Sequence, residues 1–382
     1  IYASTPLAYP PLVYLLVRML LLTRIGRGDA PASDPRPLRL LVPAPWLAIG
    51  VVFLIGFRVG LNVTDSNVID VGYAGVIGAQ RIVHDKSLYG KYPSDNEHGD
   101  TYGPVNYETY VPFQQIFGWS GRWDDLPAAH AAAIVFDLLA IGLLFLLGRR
   151  VRGPGLGIAL AYAWVAYPFT LFALESNSND SLVAVFVLAA LLVACMPPAR
   201  GMFAALAGLT KFAPLALAPL LWTYGLDGLS ARARARALSL FALAFMATLA
   251  VVSIPALTHD SLHTIYERTL AYQSDRESPF SIWGLYGSPP TLGYLQAVVQ
   301  GAALVLALSF AVLPRRPGVP GLAAAAAAVL VAVQLGIEHW FYLYIPWFFG
   351  LVMLALLGQF SWREWEPVAP SGSAQSSQLA AA

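Results

Sequence analysis

The stretch LPAAHAAAIVFDLLAIGLLFLLGRRVR (126–152) places a long apolar run directly before three arginines. Its apolar part, 126–148, is long enough to cross a bilayer, which requires about 20 apolar residues in a helix. Similar runs recur near 44–62, 155–174, 181–196, 237–256, 291–313, 319–337 and 341–359. We therefore predict an all-α polytopic membrane protein with about nine to eleven membrane segments, because helices satisfy their own backbone hydrogen bonds in lipid.

Basic residues define the orientation of these spans. Hydrophobic residues make up 57% of the chain and charged residues 12%, with a net charge of +1. Short loops rich in lysine and arginine stay on the cytoplasmic side of a membrane. The basic loops are 24–28 with Arg36 and Arg39, 149–152, Arg200, 232–236, Arg315–Arg316 and Arg363. The loops between them are acidic and aromatic, and we expect the functional site on that opposite, outer face.

One apolar stretch, 201–225, lies between two basic segments that must share a side, Arg200 and RARAR (232–236). A single crossing would put the second segment on the wrong face. We therefore predict a short helical hairpin, with 201–210 and 215–225 as its arms and the turn at Lys211-Phe212-Ala213-Pro214. The hairpin brings Lys211 to the outer half of the protein. A charge in such an apolar stretch is costly and marks a functional candidate, although a lysine snorkelling from one ordinary span is the alternative.

The largest outer loop runs from 63 to 125. Within it, IDVGYAGVIGAQRIV (69–83) has apolar residues at roughly helical spacing, which predicts an amphipathic helix lying in the membrane interface. Asp70 and Tyr73 lie at its start. A carboxylate with a low-dielectric side and a wet side can act as a general base, so Asp70 is the candidate catalytic residue. Tyr73 and Tyr102 are candidate substrate contacts, whereas anchoring in the interface is the ordinary role of such tyrosines.

Three further segments of the outer face carry candidate binding residues. SNSND (176–180) offers Asn177, Asn179 and Asp180 to sugar hydroxyls, or simply caps the helix that follows. The segment 267–287 offers Arg268 and Arg276 as a phosphate clamp and Trp283 as a stacking platform, or it is an amphipathic helix. His339, at the turn between two spans, is a candidate phosphate or acid–base partner, or a structural histidine.

Several common catalytic motifs do not occur in the sequence. It has no GxxxxGK[ST], HExxH or GxSxG pattern and no metal-ligand spacing of cysteine and histidine. The single cysteine, Cys195, excludes an internal disulfide. We expect no cofactor, no metal and no nucleic-acid partner. Without a nucleotide-binding domain, an activated substrate has to come from within the membrane, and lipid-linked phosphosugars fit that description.

Four features follow one another along the chain: Asp70 with its helix, TYGPVNYETYVPF (101–113), SNSND (176–180) and GLTKFAP (208–214). In this order they resemble the GT-C superfamily of polyprenol-phosphate-dependent glycosyltransferases. The likeness covers about 44–360 and is closest to glycosyltransferase family 87, which includes actinobacterial membrane mannosyltransferases. It implies a GT-C-like bundle and an inverting transfer of a sugar, with mannose the expected one, at the extracytoplasmic face. A polyprenyl-phosphate sugar would be the donor, a lipid-linked or cell-envelope glycan the acceptor, and Asp70 the base. TYGPVNY departs from the usual Tyr-Pro-Pro element, and a YPPL run occurs at Tyr9–Leu12 instead.

The expected organisation has three parts. Residues 1–43 are a truncated membrane segment, with Pro10–Leu22 as a crossing, and a cytoplasmic loop. Residues 44–360 form the catalytic domain with its outer loop 63–125, and 361–382 form a disordered cytoplasmic tail. We expect an integral protein of the bacterial plasma membrane with an extracytoplasmic active site, in contact with the bilayer, donor and acceptor. A transporter or flippase of a lipid-linked sugar and an inactive scaffold remain the alternative functions.

Overall fold

The structure is a computed structural model that describes residues 2–24, 37–38, 40–123, 126–276, 278–286, 290–313, 318–359 and 361–362. The predicted basic loops at 25–28, Arg36, Arg39, Arg315–Arg316 and Arg363 lie outside the described residues, as does the tail from 363 onward.

Most of the described chain is helical. In chain order the helices are α1 (Tyr9–Arg24), α2 (Ala44–Asp65), α3 (Asp70–Val83), α4 (Pro104–Glu108), α5 (Val111–Phe117), α6 (Pro127–Arg152), α7 (Pro154–Ala166), α8 (Pro168–Glu175), α9 (Asp180–Leu192), α10 (Pro197–Thr210), α11 (Ala218–Trp222), α12 (Ala231–Leu257), α13 (Leu262–Tyr266), α14 (Tyr272–Asp275), α15 (Ile282–Leu285), α16 (Pro290–Val312), α17 (Val319–Gly336) and α18 (Ile345–Leu357). Short 3₁₀ segments occupy Tyr2–Ala8, Ser94–Asn96, Ala213–Leu217 and Tyr342–Tyr344, and a π-helical turn occupies Glu267–Ala271.

Six of these helices are long and apolar enough to cross a membrane. They are Thr5–Thr23, Ala44–Asp65, Pro127–Arg152, Ala231–Leu257, Thr291–Val312 and Val319–Gly336. The bent pair α7–α8 makes a seventh, and three shorter apolar helices, Asp180–Leu192, Ala213–Trp222 and Tyr342–Leu357, accompany them. The prediction of an all-α polytopic membrane protein is confirmed.

The predicted span 155–174 is bent by 59° rather than straight. Tyr167 has extended backbone angles and separates α7 from α8, which begins at Pro168. Proline lacks a backbone N–H and disfavours helix at the residue before it, so the break falls at this point.

Two short strands join segments that are distant in sequence. Strand β1 (Pro37–Leu38) pairs in parallel with β2 (Ser361–Trp362). The first two residues of the predicted tail therefore take part in ordered structure.

Helix α17 is the central helix of the bundle. In its apolar window, 83% of the residues are buried, against 6% for α12. An alanine run, Ala323–Ala328, forms its middle and is fully buried, because small side chains let neighbouring helices approach closely. Helices α1, α16 and α18 pack around it, whereas α2, α12 and α16 leave large apolar side chains exposed, as expected of lipid-facing helices.

A buried ion pair ties α2 to α6 within the spans. Arg58 Nη2 lies 2.7 Å from Asp137 Oδ1, and Arg58 Nε donates to Asp137 Oδ2 at 3.1 Å. The Trp164 indole donates to Asp137 Oδ1 at 2.8 Å. Charges inside a membrane are stable only when paired in this way, so these two residues have a structural role.

The helical break required by the predicted hairpin is present. Helix α10 ends at Thr210, and the chain continues from Ala213 as a 3₁₀ turn and α11. The returning arm packs on α10 so closely that a Cβ at Gly208 would lie 2.2 Å from a methyl of Leu215. Lys211 bonds Asp180, while the nearby Asn177 bonds Asn62 of α2, which in turn contacts His130 of α6. Lys211 therefore lies at the same end of the bundle as the end of α2 and the start of α6. We call this end the site end.

The predicted helix at 69–83 is also present, but the expectation that it lays an apolar face in lipid is wrong. Residues 71–79 of α3 are buried on every side by α4, α5 and α6. Glycines at every third position allow this approach: a Cβ at Gly72, Gly75 or Gly78 would collide with Asn177 or with the rings of Tyr110 and Tyr107. A helix covered by protein on all sides cannot lay an apolar face in lipid.

Candidate active site

A buried lysine–aspartate pair lies at the centre of the site end. Lys211 Nζ is 2.6 Å from Asp180 Oδ1, and both side chains are shielded from solvent. Asp180 is the first residue of α9 and Lys211 follows α10. The Trp347 indole donates to the same carboxylate oxygen at 2.8 Å. The helix ends and these hydrogen bonds therefore hold the lysine in one position.

Three aromatic rings surround the Lys211 ammonium. Its Nζ lies 5.4 Å from the ring centroid of Tyr102, 5.1 Å from that of Tyr344 and 5.2 Å from that of Trp347. Such distances allow cation–π attraction. The next residue, Gly103, lies so close to α10 that a Cβ added to it would be 2.0 Å from the Leu209 carbonyl oxygen. This close contact brings Tyr102 to the Lys211 ammonium.

Asp70 is the first residue of α3, and its side chain is exposed. Its carboxylate accepts no hydrogen bond from any residue that the structure describes, while its backbone carbonyl accepts one from Asn96 Nδ2 at 2.9 Å. The carboxylate is close enough to attract the Lys211 ammonium and to act on the Tyr102 and Tyr344 hydroxyls. The predicted base and the predicted phosphate contact therefore lie in one neighbourhood.

Arg276 approaches the same neighbourhood from the segment between α14 and α15. Its guanidinium lies 6.0 Å from the centroid of the Tyr272 ring and makes no ion pair or hydrogen bond within the described part of the chain. Its positive charge repels the Lys211 ammonium and lowers the pKa of His339. Among the described residues, Arg276 is therefore a cation without an ion-pair partner, whereas Lys211 has one.

The Tyr102 hydroxyl is influenced by the charges of this cluster. Burial raises its pKa well above the usual value, the charges of Asp70 and Asp180 raise it further, and Arg276 lowers it. The phenol is therefore protonated at any physiological pH, and its O–H can donate a hydrogen bond.

His339 lies in the turn between α17 and α18, within range of Arg276 and Lys211. Burial, together with the positive charges of Arg276 and Lys211, lowers the pKa of His339 to about 3. Its Nδ1 is 2.8 Å from the Ser278 hydroxyl. A histidine that is neutral at physiological pH offers a hydrogen bond to a phosphate but no positive charge.

Two other candidates are engaged elsewhere. Arg268 donates from Nε and Nη2 to both oxygens of Asp100, at 2.8 and 2.7 Å, and also to the Glu97 carbonyl. Trp283 is buried and donates its indole N–H to the Leu335 carbonyl at 2.9 Å. Arg268 therefore fastens the connection between α2 and α6 to the segment after α12, and Trp283 fastens α15 to α17.

Asn177 and Tyr73 also make structural contacts. Asn177 has a φ of +49°, a region that asparagine tolerates better than most residues, and its amide bonds Asn62 and Ser66 at the end of α2. Tyr73 is fully buried, donates to Asp95 at 3.3 Å and stacks on Trp123 at 5.0 Å. Both side chains fix the backbone on either side of Asp70.

A group of buried polar atoms beside the Lys211–Asp180 pair retains hydrogen-bonding capacity. Asn179 Nδ2 donates to Asn106 Oδ1 at 2.6 Å. Asn179 Oδ1, Asn106 Nδ2, Asp180 Oδ2 and the Tyr110 hydroxyl have no partner among the described residues. Buried polar atoms are almost always hydrogen-bonded, so these four atoms can bind hydroxyl groups that reach them.

The structure thus brings together Asp70, Tyr102, Asn179, Asp180, Lys211, Arg276 and His339 out of the predicted set. It adds Tyr344 and Trp347 from the 3₁₀ turn and first turn of α18. The sequence alone does not distinguish these two aromatic residues from their neighbours. The only signal was the aromatic density of FYLYIPW (341–347), which interface anchors share.

Comparison with known protein families gives one match. The sequence model of glycosyltransferase family 87 matches residues 101–337, more than half of the chain. The matched region includes Lys211 and Arg276, whereas Asp70 and His339 lie outside it. No curated protein matches the chain. The match, together with a bundle of membrane-length helices, establishes an integral membrane glycosyltransferase: the chain belongs to glycosyltransferase family 87.

Proposed function

We propose that this enzyme transfers a sugar, with mannose the first candidate, from a polyprenyl-phosphate donor to a glycan or glycolipid acceptor. We further propose that it does so with inversion, at the extracytoplasmic face of the plasma membrane. The observation that supports the proposal best is that Asp70 and Arg276, which have no ion-pair partner among the described residues, both influence the buried Lys211 of the Lys211–Asp180 pair. A sugar phosphate needs a base for the acceptor and cations for the phosphate.

The phosphate would lie beside Arg276. This guanidinium has no anionic partner of its own among the described residues and presents a planar set of donors that suits phosphate oxygens. Lys211 lies nearby, and its ion pair with Asp180 holds its ammonium and the surrounding side chains in position. The Tyr102 hydroxyl and the neutral His339 can donate or accept hydrogen bonds at the edge of the same group.

In the proposed reaction, the Asp70 carboxylate removes the proton from an acceptor hydroxyl. The hydroxyl oxygen forms a bond to the anomeric carbon as the bond from that carbon to the phosphate oxygen breaks. Polyprenyl phosphate leaves with the bonding electron pair, and Asp70 ends protonated. The base and the phosphate lie on opposite faces of the sugar, so the configuration at the anomeric carbon inverts.

The direct test is transfer of label from a defined donor. The purified chain, reconstituted in bilayers, is supplied with polyprenyl-phosphate [¹⁴C]mannose and a membrane lipid extract that contains acceptors. A labelled glycan or glycolipid whose formation requires Arg276 supports the proposal. Polyprenyl-phosphate glucose tests the choice of sugar. Passage of intact labelled donor across a sealed bilayer without labelled product would instead favour a flippase.

A further inference from the structure

A second concave site lies at the far end of α3, in the connection between α2 and α6. It is a cleft of about 260 Å³. Its lining includes three permanent cations, one histidine and two apolar side chains: Arg81, Lys86, Lys91, His84, Ile77 and Trp119. We call it the basic cleft.

The positive charge of the basic cleft is not neutralised by the described residues. None of its four basic side chains forms an ion pair with a described carboxylate. The neighbouring Asp85 instead pairs with His259 at 2.8 Å. Several like charges around one concavity produce a local positive potential that attracts anions.

Hydrogen bonds fix the shape of the cleft, which is therefore not formed by surface lysine side chains alone. Arg81 donates from Nε to the Ser87 carbonyl and from Nη1 to the Lys91 carbonyl, the latter at 3.0 Å. These bonds fasten the loop that carries Lys86 and Lys91 to the last turn of α3. Backbone carbonyls carry no net charge, so Arg81 fixes the rim while it remains a cation. His84 is fixed as well, through Nδ1 and the Gln80 carbonyl at 2.8 Å.

The basic cleft is separate from the candidate active site. Residues 70, 77 and 81 lie on one face of α3, because the eleven residues from 70 to 81 make about three helical turns. The separation between 70 and 81 is therefore mainly the rise along the helix axis. The rise from Asp70 to Arg81 is about 16 Å at 1.5 Å per residue. A single phosphate cannot touch both Arg81 and the cations beside Asp70.

We propose that the basic cleft binds a phosphate group carried by a sugar or by a lipid headgroup. Three fixed or exposed cations match the charge and the several acceptor oxygens of a phosphate ester. A volume of about 260 Å³ is below the usual size of pockets for drug-sized ligands, so the cleft admits one phosphorylated ring or headgroup rather than an extended glycan. The partly exposed Trp119 provides an aromatic surface beside it. This inference does not depend on the proposed transfer reaction.

The experiment is a ³¹P NMR titration of the full chain in phosphatidylcholine nanodiscs with glucose 6-phosphate, accompanied by a glucose titration as the neutral control. The variants are Lys86→Gln and Lys91→Gln. Arg122→Gln is the matched control, because Arg122 is an exposed cation of the same connection that does not line the cleft. Thermal unfolding of each variant checks the fold.

We expect wild type and Arg122→Gln to bind glucose 6-phosphate equally, with no binding of glucose. Each lysine variant should weaken the binding about three- to tenfold, the usual net scale of one hydrogen-bonded contact at an exposed site. Asp70→Asn should bind like wild type, so that this site and the transfer reaction can fail independently. The proposal is overturned if wild type does not bind, if the lysine variants bind like wild type, or if Arg122→Gln is weakened as much as they are.

A second arm distinguishes the two sources of the phosphate. Nanodiscs with about 30 mol % phosphatidylglycerol present an anionic headgroup at the rim of the bilayer. If this lipid lowers glucose 6-phosphate binding more in wild type than in Lys91→Gln, a headgroup occupies the cleft. If both proteins respond equally, the ligand is a phosphorylated sugar. Either result agrees with an anion site.

Discussion

Asp70→Asn is the substitution that tests the proposed mechanism most directly. The change removes a general base without changing the shape of the side chain, and a positioned base contributes about 10²–10⁴-fold in rate. We therefore expect kcat to fall by that factor, which corresponds to about 2.7–5.4 kcal/mol of transition-state stabilisation.

The structure separates this catalytic effect from an effect on folding or on donor binding. The Asp70 carboxylate is exposed and accepts no hydrogen bond from a described residue, so its replacement leaves no buried group unsatisfied. Loss of a negative charge at the start of a helix costs only about 0.3–1 kcal/mol. Asp70 also attracts the Lys211 ammonium, and its charge would repel a donor phosphate nearby. Donor affinity should therefore be unchanged or slightly higher in Asp70→Asn.

The assay measures initial rates with polyprenyl-phosphate [¹⁴C]mannose over a range of donor concentrations, with Asp65→Asn as the matched control. Asp65 is the exposed last residue of α2 and has no interaction with Lys211. We expect it to retain nearly full activity. An Asp70→Asn enzyme within about threefold of the wild-type rate would be incompatible with general-base catalysis by Asp70, and a large loss in Asp65→Asn alone would move the base to that residue.

Three further predictions concern the cations and the buried charges. Arg276→Gln should raise the donor KM and lower kcat about tenfold or more in transfer kinetics. Arg268→Gln should chiefly lower the melting temperature, since Arg268 already has a carboxylate partner. Equal kinetic losses in both variants would contradict this assignment. Lys211→Met and Asp180→Asn should each destabilise the protein by about 3–5 kcal/mol, because each single change leaves one buried charge uncompensated. The double variant should lose less stability than the sum of the two. Additive losses in chemical or thermal unfolding would exclude the coupling. Burial raises the pKa of Glu108 to about 7. The contribution of its protonated carboxyl to the free energy of unfolding is therefore complete below about pH 4.5 and is lost as the pH rises through about 7. Glu108→Gln should therefore raise the melting temperature by a few degrees at about pH 8.5 and leave it unchanged at about pH 4.5, and the same shift at both pH values would refute the role of ionisation.

The spans and the hairpin were predictable because their causes are local. A membrane-length apolar run has essentially one stable conformation in lipid, and the side preference of arginines restricts where the chain turns. The same reasoning placed the turn at Lys211, where α10 ends. The position of α3 was not predictable in this way. Its glycine spacing becomes informative only when the partners Asn177, Tyr107 and Tyr110 are known.

The composition of the candidate site was only partly predictable. Arg268 and Arg276 are equivalent in the sequence, and the difference between them arises from Asp100, which lies 168 positions from Arg268 and forms an ion pair with it. Tyr344 and Trp347 come from the last membrane helix, where aromatic residues are ordinary. Their position around the Lys211 ammonium follows from the packing of α18, which no pattern in the sequence specifies.

The charges of the candidate site suggest how the proposed reaction is driven. A polyprenyl-phosphate sugar is a phosphodiester with one negative charge, and the departing polyprenyl phosphate carries up to two. In the same step Asp70 loses its negative charge by accepting a proton, so the total charge in the site is conserved while one negative charge moves from Asp70 toward the phosphate. Cations beside the phosphate stabilise that movement only if they are not already neutralised. Asp180 neutralises Lys211 at 2.6 Å, whereas Arg276 has no such partner in the described chain. Arg276 should therefore contribute more to the transition state than Lys211, whose main contribution is to hold Asp180 and the surrounding aromatic residues in place.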